Sequence, residues 1–187
     1  MKLHWSTRSP FVRKVMIVAH EAGLADRLTL VRTVAAASKP NPELMRDNPL
    51  SKIPTLVLDD GTALYDSPVI CEYLDGLHAG PKLFPHEPAA RMTALRRQAL
   101  GDGLLDLLVL WRDERGRAQP SDAHIASFAM RRKTALAAME QEADDLAATA
   151  LSIGHVALGC ALGYLDFRFA SDDWRTAHPR LARWHAD

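Results

Sequence analysis

Cysteine is nearly absent: 187 residues hold only Cys71 and Cys160, with no CxxC pair. Dithiol redox chemistry is therefore not expected. Each thiol sits in an apolar helical pattern, far from the other, which points to buried thiols in a reducing compartment rather than a disulfide. Net charge is missing as well. Twenty-three basic residues balance twenty-three acidic ones, so nothing draws the chain globally to nucleic acid or an anionic membrane. No run of about 18 uncharged apolar residues exists, so no membrane-spanning helix is expected. The opening MKLHWSTRSP lacks an apolar run of signal-peptide length, and a cytoplasmic location is expected. Eight histidines offer neither HExxH nor a ligand cluster, and no metal is expected. What remains is ordinary globular composition, 48% hydrophobic and 25% charged. The length suits one medium domain or two small ones with a real core.

Against that plain background, residues 49–74 (PLSKIPTLVLDDGTALYDSPVICEYL) concentrate four structural signals. Pro54 leads an apolar run, where a strand tolerates its missing N–H. Residues 55–58 read as a strand, Asp59-Asp60-Gly61 as hairpin chemistry, and residues 62–65 as the returning strand. Tyr65-Asp66-Ser67-Pro68 then opens a helix, with Ser67 expected as N-cap and Pro68 at the first helical position. An X–Pro bond can be cis. In that form Ile53 would turn its N–H and C=O outward, towards an extended peptide. Free amides at the helix start suit a carboxylate, and Asp66 beside them suits an ammonium group. Each part taken singly reads as a turn or a helix start; the ordered combination fits a small peptide-like ligand carrying both charges.

The pieces Asn48-Pro49, Lys52-Ile53-Pro54, the DDG hairpin and Asp66-Ser67-Pro68 followed by Ile70-x-x-Tyr73-Leu74 resemble the glutathione-binding half of the glutathione transferase family. Ser9-Pro10-Phe11-Val12-Arg13-Lys14-Val15 continues the resemblance at the N-terminus, and the second half extends it more weakly. The implied fold is a thioredoxin-like βαβαββα domain followed by an all-helical bundle. Residues 1–77 would form the first domain, 78–87 a linker and 88–187 the second.

The pattern of the chain agrees with that division. Residues 2–5 and 28–34 read as strands flanking a helix that ends before Gly23, a βαβ unit with parallel strands. Residues 42–47 read as a short helix. The proline-rich segment 78–88 reads as a linker. After it the period is helical throughout: 89–115, 122–148, an all-round apolar 153–169 and a short 179–184. Ser152 is the expected N-cap of the apolar helix. His155, where the family often has aspartate, is expected to serve a capping box only in part. Related chains have a longer loop where residues 146–151 lie, so residues are expected to be missing there; they also carry a tail beyond the last helix that often covers the substrate site, and that departure leaves the second substrate open.

An unperturbed glutathione thiol is mostly protonated at neutral pH. A hydroxyl donor and a helix N-terminus aimed at sulfur can lower its pKa. Ser9 combines the two, with Ser6 and Thr7 as rivals and a plain N-cap as its bland reading. No Tyr or Cys occupies the corresponding segment, so the serine type is expected. By resemblance, Ile53 would pair its backbone with the cysteinyl part of glutathione, with Pro54 in cis. Asp66 and Ser67 would hold the γ-glutamyl group. Lys52, and less directly Lys39, would meet the glycyl carboxylate, and Arg13 would face inward as a structural pair. Trp111, Arg112 and Arg115 could line the second-substrate pocket, with core packing the alternative for Trp111; Asp166 reads as a structural carboxylate. The resemblance implies conjugation of glutathione to a small electrophile by a cytoplasmic homodimer. Glutathione-dependent isomerisation, peroxide reduction or thioether cleavage, or a non-catalytic interaction protein, are the alternatives.

Overall fold

The computed structural model describes residues 1–187. The chain divides into two compact units, Met1–His86 and Glu87–Asp187. The first is built on four strands, β1 (Lys2–Trp5), β2 (Thr29–Arg32), β3 (Thr55–Val57) and β4 (Ala63–Leu64), with helices α1 (Pro10–Glu21) and α2 (Ser67–Gly76). The sheet runs β2-β1-β3-β4. β1 and β2 are parallel, while β3 pairs antiparallel with both β1 and β4. This mixed sheet with its helices is the thioredoxin-like arrangement. Alternation puts Leu3 and Leu56 in the interior, fully buried with Val15, Val18 and Ala19 of α1 and Ile70, Cys71 and Leu74 of α2. The hairpin turns at Gly61, whose φ of +88° suits glycine. Leu58 N–H closes the turn onto Thr62 C=O at 2.8 Å.

Between β2 and β3 the expected helix over 42–47 is a single 3-10 turn, Leu44–Arg46. Asn41 explains its start: its Oδ1 accepts from the amides of Glu43 and Leu44. The segment read as a linker is tied back to α2. Buried Asp75 accepts from the backbone amides of Leu83 and Phe84 at 2.9 and 3.1 Å.

The second unit holds α3 (Pro88–Arg115), α4 (Asp122–Gln141), α5 (Ala143–Ala148), α6 (Ile153–Arg168) and α7 (Pro179–Ala186). No helix of the chain is long and apolar enough to cross a membrane. α6 is buried nearly all round and packs along α3. The crossing is close enough to require small residues: a Cβ on Gly154 would lie 2.6 Å from Arg97 Cβ, and one on Gly101 2.6 Å from the Ala157 carbonyl carbon. The single helix expected over 122–148 breaks at Glu142. There the Glu142 carboxylate takes both guanidinium nitrogens of Arg96 at 2.7 and 2.8 Å and Arg97 Nε at 2.8 Å. The Arg96 hydrogen bonds, then Arg97, hold its pKa at about 2.

His155 does more than part of a capping box. Ser152 N–H donates to its Nδ1 at 3.1 Å, so Nε2 carries the proton and donates to Leu146 C=O, also at 3.1 Å. One neutral imidazole thus closes both the start of α6 and the end of the short segment before it. Burial pushes its pKa below the ordinary histidine value.

Candidate functional site

Strand register assembles the site. His4 of β1 faces Thr55 of β3, and Leu56 faces Leu64 of β4, both antiparallel. The last residues of β1, the first of β3 and the last of β4 therefore share one edge of the sheet. Three segments meet there: residues 6–9, 52–54 and 65–67. Both α1 and α2 also begin at this edge, so two helix N-termini bring unpaired amides and partial positive charge to it.

Ser9 is the N-cap of α1, extended at φ −85° and ψ 120°, and its Oγ accepts from Val12 N–H at 3.3 Å. It is half-buried. With its lone pair engaged by the helix, the hydroxyl proton remains available to a nearby acceptor. Ser6 Oγ instead accepts from Arg8 N–H at 3.3 Å, and Thr7 is exposed.

The loop before β3 is shaped by residues whose role was not read from the sequence. Buried Asn48 donates through Nδ2 to Lys52 C=O at 3.1 Å and Thr55 Oγ1 at 2.9 Å, and its Oδ1 accepts from Leu50 N–H at 3.0 Å. Ser51 adopts φ +53°, and its Oγ accepts from Asn41 N–H at 2.8 Å. Those bonds hold a residue type that rarely enters the left-handed region. Ile53 lies just ahead of the β1–β3 ladder, and its peptide bond to buried Pro54 is cis. Lys52 projects into solvent; Lys39 is exposed in a tight turn where Ala36 bridges to Lys39.

At the start of α2 the sequence reading needs correcting. Asp66, not Ser67, is the N-cap, with Ser67 and Pro68 the first two helical residues. Asp66 C=O already accepts from Ile70 N–H at 3.1 Å, and its backbone is extended, which is what defines the cap. Its carboxylate makes no capping bond and stays exposed, while Ser67 is buried. The Tyr65–Asp66 peptide is also cis. Arg13 needs correcting too: it is exposed, and Lys14 is the fully buried cation of α1. Lys14 stands one turn after buried Pro10, on the inward stripe, whereas Arg13 falls outside it.

A second network braces the same half. His4 donates through Nε2 to the Asp47 carboxylate at 2.8 Å, with Nδ1 2.8 Å from Thr33 Oγ1, and Lys2 Nζ reaches Asp47 at 2.7 Å. The Lys2 and His4 hydrogen bonds hold Asp47 below the ordinary carboxylate range. This links β1, the residue after β2 and the 3-10 turn that leads into the Asn48 loop. Nothing in local spacing signals it, because the partners lie 29 to 45 residues apart.

Within the second unit, Trp111 is buried against Phe128 and Phe169, with ring centroids 6.2 and 5.2 Å away. It is core. Arg115 stacks over Trp111 and Phe169 at 5.0 Å, and Arg112 donates to Tyr164 Oη at 3.1 Å. Asp166 accepts from Trp174 Nε1 at 2.9 Å and from both Arg175 terminal nitrogens at 2.6 and 2.7 Å.

Comparison with known proteins bears on both units. Residues 8–77 match the model of the glutathione S-transferase N-terminal domain, and residues 122–187 that of the C-terminal domain. The uncharacterized GST-like protein YibF of Escherichia coli K12 is 31% identical, over 98% of this chain and 91% of its own. A glutathione transferase family member from Pseudomonas fluorescens Pf-5, solved with bound glutathione, superposes with a TM-score of 0.94 at 40% identity, over 98% of this chain and 91% of that one. A glutathione S-transferase from Methylobacillus flagellatus KT with glutathione bound gives 0.87 at 35%, over 99% and 92%. With two domain models in their usual order and a relative aligned along almost the whole chain, this protein belongs to the glutathione S-transferase family.

Proposed function

We propose that the protein binds glutathione at the shared sheet edge and activates its thiol for attack on a small electrophile, with Ser9 as the activating hydroxyl. The observation that carries this reading is the register that gathers residues 6–9, 52–54 and 65–67 at the start of two helices. The known binding of glutathione by the Pseudomonas and Methylobacillus relatives supports it.

In this reading the Ile53 N–H and C=O pair with the cysteinyl residue, as an added strand would. Amides at the start of α2, with Ser67, hold the γ-glutamyl carboxylate, and Asp66 meets the ammonium group. Lys52 reaches the glycyl carboxylate. Sulfur then lies near Ser9. Its proton leaves to solvent, the hydroxyl donates to the thiolate, and the N-terminus of α1 adds a favourable field. The thiolate forms the new carbon–sulfur bond, and the electrophile's leaving group departs with the displaced electron pair, or an activated double bond takes a proton.

Retention on immobilised glutathione, followed by thioether formation with aryl halides, epoxides and enones, tests the proposal. Retention with conjugation of at least one class is the expected result. Failure to bind glutathione would refute the site; binding without conjugation or any other thiol turnover would refute the enzyme.

A further inference from the structure

His4 is buried, and each of its ring nitrogens has a partner: Nε2 lies 2.8 Å from Asp47 Oδ2 and Nδ1 2.8 Å from Thr33 Oγ1. Those partners decide where the ring protons sit. Asp47, held below the ordinary carboxylate range by Lys2 and then by His4, is ionised and can only accept, so Nε2 donates. The Thr33 hydroxyl has a single proton, and the Val31 C=O lies 3.0 Å from its oxygen, within the range of an O–H···O bond. With that proton on Val31, Thr33 Oγ1 is left to accept from Nδ1. The reverse arrangement, Thr33 donating to Nδ1, would leave two oxygens 3.0 Å apart with no proton between them.

The pair reaches the loop ahead of β3 in one step. Asp47 ends the 3-10 turn, and its neighbour Asn48 grips Lys52 C=O and Thr55 Oγ1. Thr55 in turn faces His4 across the β1–β3 ladder. Ile53 lies inside the stretch so enclosed. Lys2 also reaches Asp47 but is partly exposed on a flexible stem, whereas the His4 ring is fixed at both nitrogens. We propose that His4, an imidazolium donating from both nitrogens, is a positioning residue for glutathione: it holds Asp47 to the sheet and, through Asn48, sets the Ile53 backbone in register for the tripeptide. The inference rests on the reading that glutathione pairs with Ile53. It assigns His4 to affinity and not to thiol activation, because the ring touches neither ligand nor Ser9.

Two measurements test it. Nitrogen-15 NMR of the wild type at pH 7 should show both ring nitrogens of His4 protonated; a lone pair on Nδ1 would overturn the assignment. His4→Phe should weaken glutathione binding by roughly tenfold in calorimetry. The thiol titration of bound glutathione, and turnover at saturating glutathione, should stay at wild-type values. His4→Gln, whose amide still reaches towards Asp47, should recover part of the loss. Adding Asp47→Asn to His4→Phe should cost little more, since both act through one contact. Failure of the wild type to bind glutathione would refute the site itself and this inference with it. Wild-type affinity in both His4 variants, whatever their melting temperatures, would overturn this inference alone and leave His4 a structural brace. A shifted thiol titration would also overturn it. If His4→Phe does not fold, His4→Gln and the ring protons decide.

Discussion

At the scale of single residues, the proposed site separates groups that touch ligand from groups that hold them in place. Asp66 belongs to the first kind. Its carboxylate is exposed and makes no capping bond, so its loss should leave the fold intact and subtract one charge-assisted hydrogen bond from the ligand. Asp66→Ala should weaken glutathione binding by roughly tenfold with unchanged melting; equal affinity by calorimetry would show that the ammonium group lies elsewhere. Asn48 belongs to the second kind, and its history shows where reading a sequence stops. Ser9, Pro54, Asp66 and Ser67 could be named because each announces itself beside a proline or at a helix start. Asn48 could be seen only as part of a dipeptide, since its partners Lys52 and Thr55 become meaningful once the loop is folded. Lys14 was hidden for the opposite reason: a lysine beside an arginine reads as surface charge, and only the helix phase shows which one is buried.

At the scale of elements, the βαβ unit, the hairpin and the long helices were legible because periodicity and turn chemistry are local; the sheet order β2-β1-β3-β4 was not, since it depends on pairing between distant segments. Nor was the break at Glu142. It depends on Arg96 and Arg97, 46 and 45 residues away, and no glycine or proline marks it. The cap of α6 gives the sharpest prediction here. His155 must be neutral to accept from Ser152 N–H, and its folded pKa lies below the ordinary value. Its stabilising effect is therefore full above the unfolded value of about 6.5 and is lost as pH falls through the lower folded value. Glu142, held at about 2, loses its contribution only between about 4.5 and that value. Urea midpoints should thus fall in the wild type as pH drops from about 6.5 towards the carboxylate range. In His155→Asp the carboxylate stays charged across that interval and keeps the capping role, so the slope should flatten. An equally steep loss in the variant would assign the acid sensitivity to another group.

At the scale of the whole molecule, family membership accounts for the architecture, a thioredoxin-like unit followed by an all-helical one. Resemblance to the family also implies a homodimer, and sedimentation at micromolar concentration should give twice the chain mass; a monomer alone would contradict that expectation.

The central claim is that Ser9 stabilises the glutathione thiolate, and thiolate absorbance of the bound tripeptide against pH tests it most directly. Ser9→Ala should raise the thiol pKa by about one to two units, the worth of one charge-assisted hydrogen bond, and slow turnover at neutral pH. Glutathione affinity measured at a pH low enough to keep the bound thiol protonated should barely change, because the proposed Ile53, Asp66 and Ser67 contacts remain; at higher pH it should fall in step with the raised pKa. Loss of the cap should cost about 1 kcal/mol of stability, so the titration is run well below the variant's melting temperature. Ser9→Thr should retain part of the effect, while Ser6→Ala and Thr7→Ala should titrate as wild type. A Ser9→Ala titration superimposable on wild type would contradict the account and leave Ser9 as a helix cap alone.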